Sequence, residues 1–225
     1  MNILMTGASK GLGQSFAKHL GRSGDTLWLV SRSRPSTLDQ TDKVARHWLE
    51  ADLTTTGVHQ QIAARVPALD VLIHNAATWE SMAFSHQYDF LAVPETETRA
   101  IIELNLIAPI LLTQALLPVL RASSNPKIIL IGSINGLENS GMPEVAYNAS
   151  KFGLRGIAHA LRETLRADRI GVSIINPGSI GWESDAQDFL IPPIDLVNLT
   201  RTILESSRFS VIKEIDVPAM MDMQV

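Results

Sequence analysis

The sequence predicts an α/β protein with a doubly wound parallel β-sheet and helices on both faces. Short, nearly continuous apolar runs alternate along the chain with longer segments whose apolar residues recur at helical spacing. Strands that are apolar on both sides are typical of a parallel sheet covered by helices. Because the sequence contains no internal repeat, low-complexity tract or linker, we expect residues 1–225 to form a single domain.

The predicted elements follow one another in a regular order. The expected strands are residues 3–5, 26–30, 46–49, 71–73, 127–131, 171–175 and 211–215. The expected helices are residues 11–21, 54–66, 94–121, 147–166 and 194–204. Thr54 or Thr55 is the expected N-cap of the second helix, and Pro94 is expected in the first turn of the third. The segments 78–93 and 181–193 are the least regular interior parts of the chain.

The composition excludes several kinds of protein and site. The chain is 45% hydrophobic and 19% charged, which is ordinary for a soluble globular protein, and its net charge of -4 gives no indication of nucleic acid or an anionic membrane as a partner. Cysteine is absent and no set of histidines and acids has ligand spacing, so we expect no catalytic metal. No signal-peptide pattern precedes the first strand and no uninterrupted apolar run approaches 18 residues, so a cytoplasmic protein is expected.

A glycine-rich loop, Thr6-Gly7-Ala8-Ser9-Lys10-Gly11-Leu12-Gly13, joins the first strand to the first helix. Its glycines permit a tight turn and a close approach of backbone to a pyrophosphate, and the start of the helix presents N–H groups to that anion. The spacing Gly-x-x-x-Gly-x-Gly differs from Gly-x-Gly-x-x-Gly and from a Walker loop. The alternative is a glycine-rich turn without a ligand.

Tyr147 and Lys151 lie four residues apart at the start of a long helical pattern. Positions i and i+4 share one face of a helix, so the phenol and the ammonium can converge on one small volume. A neighbouring ammonium favours the phenolate and lowers the pKa of a tyrosine from its usual value of about 10. Such a tyrosine can exchange a proton near neutral pH. The alternative is a chance pair on an exposed face.

Seven motifs occur in an order that resembles the short-chain dehydrogenase/reductase family. They are the loop from Thr6 to Gly13, Asp52-Leu53, Asn75-Ala76-Ala77, Asn105, Ser133, Tyr147-x-x-x-Lys151 and Asn176-Pro177-Gly178. The resemblance covers nearly the whole chain. It implies a Rossmann-type fold and hydride transfer between a nicotinamide cofactor and a carbonyl or alcohol carbon of a small-molecule substrate.

The resemblance also implies the role of each site residue. Ser133, which follows an apolar strand, holds the substrate oxygen, and Tyr147 transfers the proton. Lys151 lowers the pKa of Tyr147 and binds the ribose hydroxyls of the nicotinamide. The implied cofactor-binding residues are Gly7, Ser9, Lys10, Gly11, Leu12, Gly13, Arg32, Asp52, Leu53, Asn75, Ala76, Tyr147, Lys151, Pro177, Gly178 and Ile180.

Asn105 has a physical argument of its own. Pro109, four residues later, lacks the N–H that would bond the Asn105 carbonyl, so the helix should kink and that carbonyl should be free. A freed buried carbonyl needs a partner such as water. The family resemblance implies that this asparagine holds a water that connects Lys151 to solvent. The alternative is a packing bend that Asn105 caps.

The end of the second strand indicates which nucleotide is bound. An NAD enzyme usually carries an acid there for the ribose 2′-hydroxyl, whereas this chain has Ser31 followed by Arg32. Arg32 and Lys10 place two cations near the expected adenine ribose, which favours a 2′-phosphate and hence NADP(H) over NAD(H). The alternative is that both are solvated surface cations.

Several positions leave alternatives open or depart from the family pattern. Asp52, which the resemblance assigns to the adenine amino group, is equally suited to cap the next helix. Ala77 replaces a family glycine, which is expected to restrict the turn. His74 is expected to be a satisfied core residue. Trp182 stands where the family has a threonine for the carboxamide; it either lines the substrate pocket or packs, and Ser179 or Ser184 are candidate substitutes.

The long helix and the Tyr147 helix are expected on one face of the sheet. The Tyr147 helix is expected to bury Ala149, Phe152, Ile157, Leu161 and Leu165. Family members pair these two helices across a subunit interface, which implies a homodimer or homotetramer. The short segment before Pro193 suggests an open substrate pocket. The competing function is a non-enzymatic NADP-binding regulator on the same fold, for which the Ser133, Tyr147, Lys151 and Asn105 set has no evident use.

Overall fold

A computed structural model describes residues 1–137, 142–181 and 189–221. The strands are β1 (Asn2–Thr6), β2 (Thr26–Ser31), β3 (Ala45–Glu50), β4 (Val71–His74), β5 (Lys127–Ile131), β6 (Gly171–Pro177) and β7 (Glu214–Val217). The α-helices are α1 (Gly11–His19), α2 (Val58–Arg65), α3 (Glu95–Ile102), α4 (Ala108–Arg121), α5 (Val145–Thr164) and α6 (Pro193–Glu205). A π-helical segment, Glu103–Ile107, joins α3 to α4.

The strands form one parallel sheet in the order β3-β2-β1-β4-β5-β6-β7. The chain begins at β1, builds outward to β3, and then crosses back to continue from β4. The strand order therefore reverses between β1 and β4, and in such sheets ligands bind outside the carboxyl ends of the strands at this reversal. The predicted doubly wound α/β fold is confirmed.

Each face of the sheet is covered by a separate layer of helices. On one face, Ile62 of α2, Leu112 of α4 and Leu154 of α5 belong to one apolar core. On the other face, Phe16 of α1 and Leu196 of α6 belong to a second core. Because both faces are covered, strands such as β4 and β5 are buried along their whole length, which explains their continuous apolar sequences.

Some details of the elements differ from prediction. The N-cap of α2 is Gly57, with a φ of 81°, and neither Thr54 nor Thr55 takes that place. Pro94 is the N-cap residue of α3 and does not lie in its first turn. The last strand is Glu214–Val217, so residues 211–213 of the predicted strand lie before it. These are errors at element ends, where local propensity competes with the contacts of the folded chain.

The buried face of α5 also differs from prediction. The residues that α5 buries are Ala146, Tyr147, Ser150, Lys151, Leu154 and Ala158. Phe152 is 44% exposed, and Ala149, which was also predicted to be buried, is exposed. The apolar pattern alone misplaces the face because Tyr147, Ser150 and Lys151, which are polar, are turned inward. Burial of these groups is itself an indication of a functional site.

The continuous helical stretch Glu95–Arg121 is apolar on two sides. An 18-residue window within it has a mean hydropathy of 1.9, so by length and composition alone the stretch could span a membrane, which a search for uninterrupted apolar runs does not detect. Leu112, Leu116 and Leu120 of this stretch are fully buried against the sheet, as in the core helix of a folded domain. Ile110 and Leu111 on its other side are 39% and 37% exposed.

Candidate active site

The predicted site residues gather at the carboxyl ends of the central strands. Thr6 ends β1, Asn75 follows β4, and Ser133 lies two residues beyond β5. Because the strands are parallel, these three positions meet at one edge of the sheet beside the reversal of strand order. Helix α5 brings Tyr147 and Lys151 to the same edge.

The glycine loop is held in shape by close backbone packing. A Cβ atom at Gly13 would lie 2.0 Å from the carbonyl oxygen of Gly7, so only glycine fits there. Gly11 has a φ of 55°, in the left-handed region, and an added Cβ would meet no atom within 4 Å. The space above Gly11 is therefore open, while the space beneath Gly13 is filled by the loop itself.

The start of α1 leaves its N–H groups free of side-chain caps. Lys10 is the N-cap residue, with extended backbone and no side-chain hydrogen bond to the helix, and the first helical bond runs from the Gln14 N–H to the Lys10 carbonyl. Uncapped N–H groups at a helix start, together with open space above Gly11, fit the pyrophosphate of a dinucleotide. These features are compatible with the predicted pyrophosphate site, which stays a prediction.

Asn75 joins the β4 end to the glycine loop. Its amide nitrogen Nδ2 donates to the carbonyl oxygens of Thr6 at 3.0 Å and Gly7 at 3.3 Å. The Thr6 hydroxyl in turn accepts from the backbone N–H groups of Asn75 and Ala76, each at 3.0 Å. Ala77 has no left-handed backbone, since the positive-φ residues other than glycine in the described parts of the chain lie elsewhere, so its methyl group does not strain the turn.

Tyr147 and Lys151 are both buried, at 9% and 3% exposure. The Lys151 ammonium lies over the Tyr147 ring, 5.4 Å from its centroid, and donates to the carbonyl oxygen of Ile131 at 3.1 Å. The side chains therefore converge as predicted from their spacing. The ammonium approaches the ring face.

The expected lowering of the Tyr147 pKa is wrong for the structure as it stands. Burial raises the pKa of Tyr147 to about 12, a hydrogen bond with Ser133 pulls it down, and the charges of Glu144 and Glu80 push it up further. Burial also lowers the pKa of Lys151 to about 8. Helical spacing predicted the pairing, but the depth of burial and two acidic neighbours decide the direction of the shift.

Ser133 lies at the turn that follows β5. Its hydroxyl accepts from the Asn135 backbone N–H and donates to the Asn135 side-chain oxygen, both at 3.2 Å, while also bonding Tyr147. Asn135 is fixed in turn by a 2.9 Å bond from its Nδ2 to the side-chain oxygen of Asn148. The hydroxyl of Ser133 is therefore held beside the phenol of Tyr147 by a turn and a helix together.

Asn105 lies in the π-helical segment that accommodates Pro109. The predicted kink takes the form of this wider turn, in which the Ala108 N–H bonds the Glu103 carbonyl. The Asn105 side chain accepts from the Thr78 N–H at 2.9 Å and donates to the Thr78 carbonyl at 2.8 Å and to the Ser150 hydroxyl at 2.9 Å. Both of its amide hydrogens are thus used within the protein.

The edge formed by the ends of β2 and β3 carries the predicted cations. Ser31 is buried and its hydroxyl donates to the Ser33 carbonyl, while the Ser33 hydroxyl bonds Ser9 of the glycine loop at 3.1 Å. Arg32 and Lys10 are exposed, and within the described residues neither forms a hydrogen bond or an ion pair.

Arg34, two residues beyond Arg32, is engaged elsewhere, because it makes two 2.8 Å bonds to Asp39. Asp52, after β3, accepts from the Thr54 N–H at 3.0 Å and the Thr54 hydroxyl at 2.7 Å, and it caps this turn instead of α2. The Thr54 bonds and the charge of Arg32 lower the pKa of Asp52, which places Arg32 near it. Among the described residues, the guanidinium of Arg32 at this edge therefore forms no hydrogen bond or ion pair, in contrast to that of Arg34.

His74 is a satisfied core residue, as predicted. Its Nε2 lies 2.9 Å from the Thr113 hydroxyl, and complete burial lowers its pKa to about 3. In residues 1–137, 142–181 and 189–221, no group of three or more His, Asp or Glu side chains is arranged to hold a metal ion.

The end of β6 forms the remaining wall of the site. The Gly178 N–H bonds the Val217 carbonyl of β7 at 2.9 Å, and Ile180 forms an isolated bridge with Ile191. Pro177, Gly178 and Ile180 therefore lie at the same edge of the sheet as the glycine loop. Trp182 and Ser184 lie outside the described residues.

Four residues of the site were missed by reasoning from the sequence. Glu80 and Glu144 are each 1% exposed, and both act on Tyr147. Trp79 and Phe84 contact its ring edge-on, with centroids 6.2 and 5.4 Å away. All but Glu144 belong to residues 78–93, which we call the 78–93 segment. Its irregular pattern was the available signal, since aromatic and acidic residues in a long loop after a central strand suggest a site.

Comparisons with known proteins agree with this geometry. Residues 1–189 match the family model described as short chain dehydrogenase. The chain is 29% identical over 188 residues to a 3-oxoacyl-(acyl-carrier-protein) reductase of rhamnolipid biosynthesis from Pseudomonas aeruginosa, covering 78% of this chain and 71% of that protein. It is 31% identical over 195 residues to the uncharacterized oxidoreductase YciK of Escherichia coli, with 78% and 72% of the two chains covered.

Two solved structures with bound nucleotides are also similar. A metagenomic short-chain oxidoreductase in complex with NADP superposes with a TM-score of 0.79 at 27% identity, covering 96% of each chain. The NADH-dependent reductase A1-R′ in complex with NAD superposes with a TM-score of 0.80 at 23% identity, covering 97% of this chain and 95% of that one. Proteins of this fold thus bind either nucleotide.

Proposed function

The chain belongs to the short-chain dehydrogenase family, and we propose that it is an NADP(H)-dependent carbonyl reductase or alcohol dehydrogenase. As a family member it is an oxidoreductase that acts on CH–OH or C=O groups of small molecules with a nicotinamide nucleotide. The finer proposal rests on the convergence of Ser133, Tyr147 and Lys151 at the carboxyl edge of the sheet. We further propose that one domain, residues 1–225, carries both the cofactor and substrate sites.

Tyr147 is the proton donor in this proposal. Its pKa of about 12 keeps the phenol protonated at neutral pH, which suits donation to the oxygen of a carbonyl that is being reduced. Ser133, bonded to the same phenol, holds the substrate oxygen. The ammonium of Lys151 over the Tyr147 ring stabilises the negative charge left on the phenolate, and Lys151 also binds the nicotinamide ribose. The nicotinamide, when bound, supplies or accepts the hydride.

Asn105 supports proton return to Lys151 in this proposal. Because both amide hydrogens of Asn105 are engaged by Thr78 and Ser150, its backbone carbonyl in the π-helical segment is the group that would hold the relay water. The π-helical turn supports this role, since Pro109 offers no N–H to that carbonyl.

NADP(H) is the proposed cofactor. The glycine loop, Gly7, Ser9, Lys10, Gly11, Leu12 and Gly13, would hold the pyrophosphate and the adenosine ribose. Arg32 and Lys10, whose charges are not neutralised by ion pairs in the described residues, would bind the 2′-phosphate. Asp52, Leu53, Asn75 and Ala76 would contact the adenosine, and Pro177, Gly178 and Ile180 the nicotinamide side.

Cofactor preference tests this assignment directly. Arg32→Asp should convert the preference from NADPH towards NADH, because a carboxylate repels the 2′-phosphate and bonds the ribose hydroxyl. The measurement is kcat/KM with each nucleotide, and Arg34→Asp, at the neighbouring arginine paired with Asp39, is the matched control. An unchanged NADPH preference in Arg32→Asp removes Arg32 from the site.

We also propose a homodimer or homotetramer in the cytoplasm. The exposed Ile110 and Leu111 of α4 and the 44% exposed Phe152 of α5 form apolar surface on the side where family members associate. Sedimentation of the purified protein tests the association, with Phe152→Glu as the variant that should shift it towards the monomer.

Activity is tested by NADPH oxidation against aldehydes, diketones and β-ketoacyl thioesters. We expect turnover of at least one neutral carbonyl class, with kcat lowered about a thousandfold in Tyr147→Phe. Tight NADPH binding with complete inactivity across the panel would instead identify the alternative, a regulatory NADP-binding protein on this fold.

A further inference from the structure

The start of α5, the helix that carries Tyr147, is capped by a distant part of the chain. The first N–H groups of a helix have no partner within it and need acceptors from elsewhere. The Val145 N–H donates to the Tyr88 hydroxyl at 3.2 Å, and the Ala146 and Tyr147 N–H groups donate to Oε1 of Glu80 at 2.9 and 3.3 Å. The next N–H, of Asn148, makes the first helical bond, to the Glu144 carbonyl. The 78–93 segment therefore supplies the acceptors for the first three N–H groups within α5, from Val145 to Tyr147.

The residue at the N-cap position of α5 makes the reciprocal contact. The Glu144 side chain forms no capping bond to its own helix. Instead its Oε1 accepts from the Phe84 N–H of the 78–93 segment at 2.7 Å. Each element thus bonds the backbone of the other through a buried glutamate, and we call this pair of contacts the Glu80–Glu144 clasp. The second oxygens of both carboxylates are buried without a hydrogen-bond partner among the described residues.

The clasp determines what lies against Tyr147. Trp79 precedes Glu80, and Phe84 is bonded by Glu144, so the two contacts fix both aromatic rings beside the phenol ring. Trp79 and Phe84 also meet each other edge-on at 5.9 Å, although they remain 50% and 49% exposed. Exposed aromatic surface of this kind next to a reactive group favours binding of an apolar group, because covering the surface removes it from water and lowers the free energy.

The charges near Tyr147 also affect which substrates are favoured. Burial has the largest effect on the pKa of Tyr147 and raises it; the hydrogen bond with Ser133 lowers it, and the charges of Glu144 and Glu80 raise it further. The ammonium of Lys151, which lies over the ring, already donates to the carbonyl oxygen of Ile131. A carboxylate on the substrate close to the carbonyl would face two acidic neighbours, which disfavours it.

We propose that Glu80 is a positioning residue for Tyr147, and that the Glu80–Glu144 clasp holds Trp79 and Phe84 as an apolar wall that receives a neutral aromatic or alkyl substituent of the substrate. The substrate half of this inference rests on the proposed carbonyl reductase function. The positioning half rests on the contacts of Glu80 alone.

Two conservative variants of Glu80 distinguish its hydrogen bonds to the start of α5 from its negative charge. Glu80→Gln keeps the reach of the side chain and an acceptor oxygen, whereas Glu80→Asp keeps the charge but is one methylene shorter. We expect hydrogen exchange of the Ala146 and Tyr147 amides to rise about tenfold in Glu80→Asp and to change little in Glu80→Gln. In parallel kcat should fall about tenfold in Glu80→Asp, with the NADPH dissociation constant unchanged. Glu95→Gln, at an exposed glutamate paired only with Arg99 in the described residues, is the control.

Hydrogen exchange of the Ala146 and Tyr147 amides tests whether Glu80 positions Tyr147, even if the protein has no measurable activity. Unchanged exchange in Glu80→Asp overturns the clasp, and so does an equal rise in Glu80→Gln and Glu80→Asp. If the wild type reduces no carbonyl, the proposed function and the substrate half are both refuted. The hydrogen-exchange result would still decide whether Glu80 positions Tyr147.

The wall is tested with matched substrates. We expect 1-phenyl-1,2-propanedione to be preferred by kcat/KM over 2,3-butanedione, in which a methyl group replaces the ring, and over phenylglyoxylate, in which a carboxylate replaces the acetyl group. Phe84→Ala should lower the ratio of the first to the second about tenfold. Phe90→Ala, at a 59% exposed position of the same segment, is the control and should not change it. An unchanged ratio in Phe84→Ala, or a preference for phenylglyoxylate, overturns the wall.

Discussion

The two sides of the carboxyl edge of the sheet are built by different means. On the proposed cofactor side, at the ends of β1 to β3, backbone conformation gives the site its shape, as in the packing of Gly13 against the Gly7 carbonyl. On the proposed catalytic side, at β5 and α5, buried polar side chains are held by partners far away in the chain, as Asn105 holds Ser150 and Thr78. The first kind of site is local in sequence, and the second exists only in the folded protein.

The difference also appears in the electrostatics of the two sides. Lys10 and Arg32 on the cofactor side are exposed, so their charges reach a ligand through solvent. Tyr147 and Lys151 on the catalytic side are buried, and burial moves the pKa of the phenol up to about 12 and that of the ammonium down to about 8. In the proposed function, charge on the first side would support nucleotide binding, while on the second it would tune proton transfer.

The largest expected effect is on the catalytic side. Tyr147→Phe keeps the ring that packs against Trp79 and Phe84 and removes only the hydroxyl. We expect kcat to fall by about a thousandfold, as for the loss of a general acid, with NADPH affinity unchanged. Steady-state kinetics and fluorescence titration measure the two quantities. A parallel loss of NADPH affinity would contradict the assignment of Tyr147 to the catalytic side alone.

The pH dependence of stability tests the burial of Lys151. A folded pKa of about 8 against 10.5 in the unfolded chain means that the unfolded chain binds more protons between these values, so the free energy of unfolding should rise with pH across this window. The size for this one group is about 3 kcal/mol. Above pH 10 the raised pKa of Tyr147 has the opposite effect on stability. The phenol stays protonated in the folded protein and loses its proton in the unfolded chain, so the free energy of unfolding falls as the pH rises.

Urea unfolding of wild type and Lys151→Met at a series of pH values measures this effect. The stability difference between the two proteins removes the contribution of the groups they share, including Lys127, whose pKa burial also lowers. A difference that stays constant between pH 8 and 10 would show that Lys151 is not the buried ammonium described here.

Packing of the glycine loop is tested by adding one methyl group. In Gly13→Ala the new Cβ would lie 2.0 Å from the Gly7 carbonyl, so backbone must move, at a cost of about 1–3 kcal/mol of stability. Gly156→Ala is the matched control, since Gly156 lies in α5 with nothing within 4 Å of an added Cβ, and this change should stabilise by about 1 kcal/mol. Thermal unfolding and NADPH titration give the two readouts; unaltered values in Gly13→Ala would refute the close packing.

The smallest expected effect concerns Asn105. Asn105→Ala removes the bonds to Thr78 and Ser150 and leaves their polar groups with fewer partners. We expect kcat to fall about tenfold while NADPH affinity is retained, because the residue supports the catalytic side alone. Equal losses in turnover and in NADPH affinity would contradict the assignment.

Much of this protein was predictable from its sequence because the deciding features are local. Continuous apolar runs indicate strands buried on both faces, and the predicted strands at β1, β2, β4 and β5 lie where expected. The spacing of Tyr147 and Lys151 predicts their convergence because helical geometry alone fixes which residues share a face. Pro109 predicted a disturbance of the helix at Asn105, since a missing N–H is a property of the sequence.

Other features were decided only by the tertiary structure. The capping of α5 by Glu80 joins residues 66 positions apart, so the sequence around Tyr147 does not predict it. The direction of the Tyr147 pKa shift depends on burial and on Glu144 and Glu80, which local spacing does not contain. The sequence by itself determined the fold and the candidate residues for the chemistry, because both follow from short-range patterns. Their environment, and hence how the phenol is tuned and what lies against it, depends on distant segments that meet only on folding.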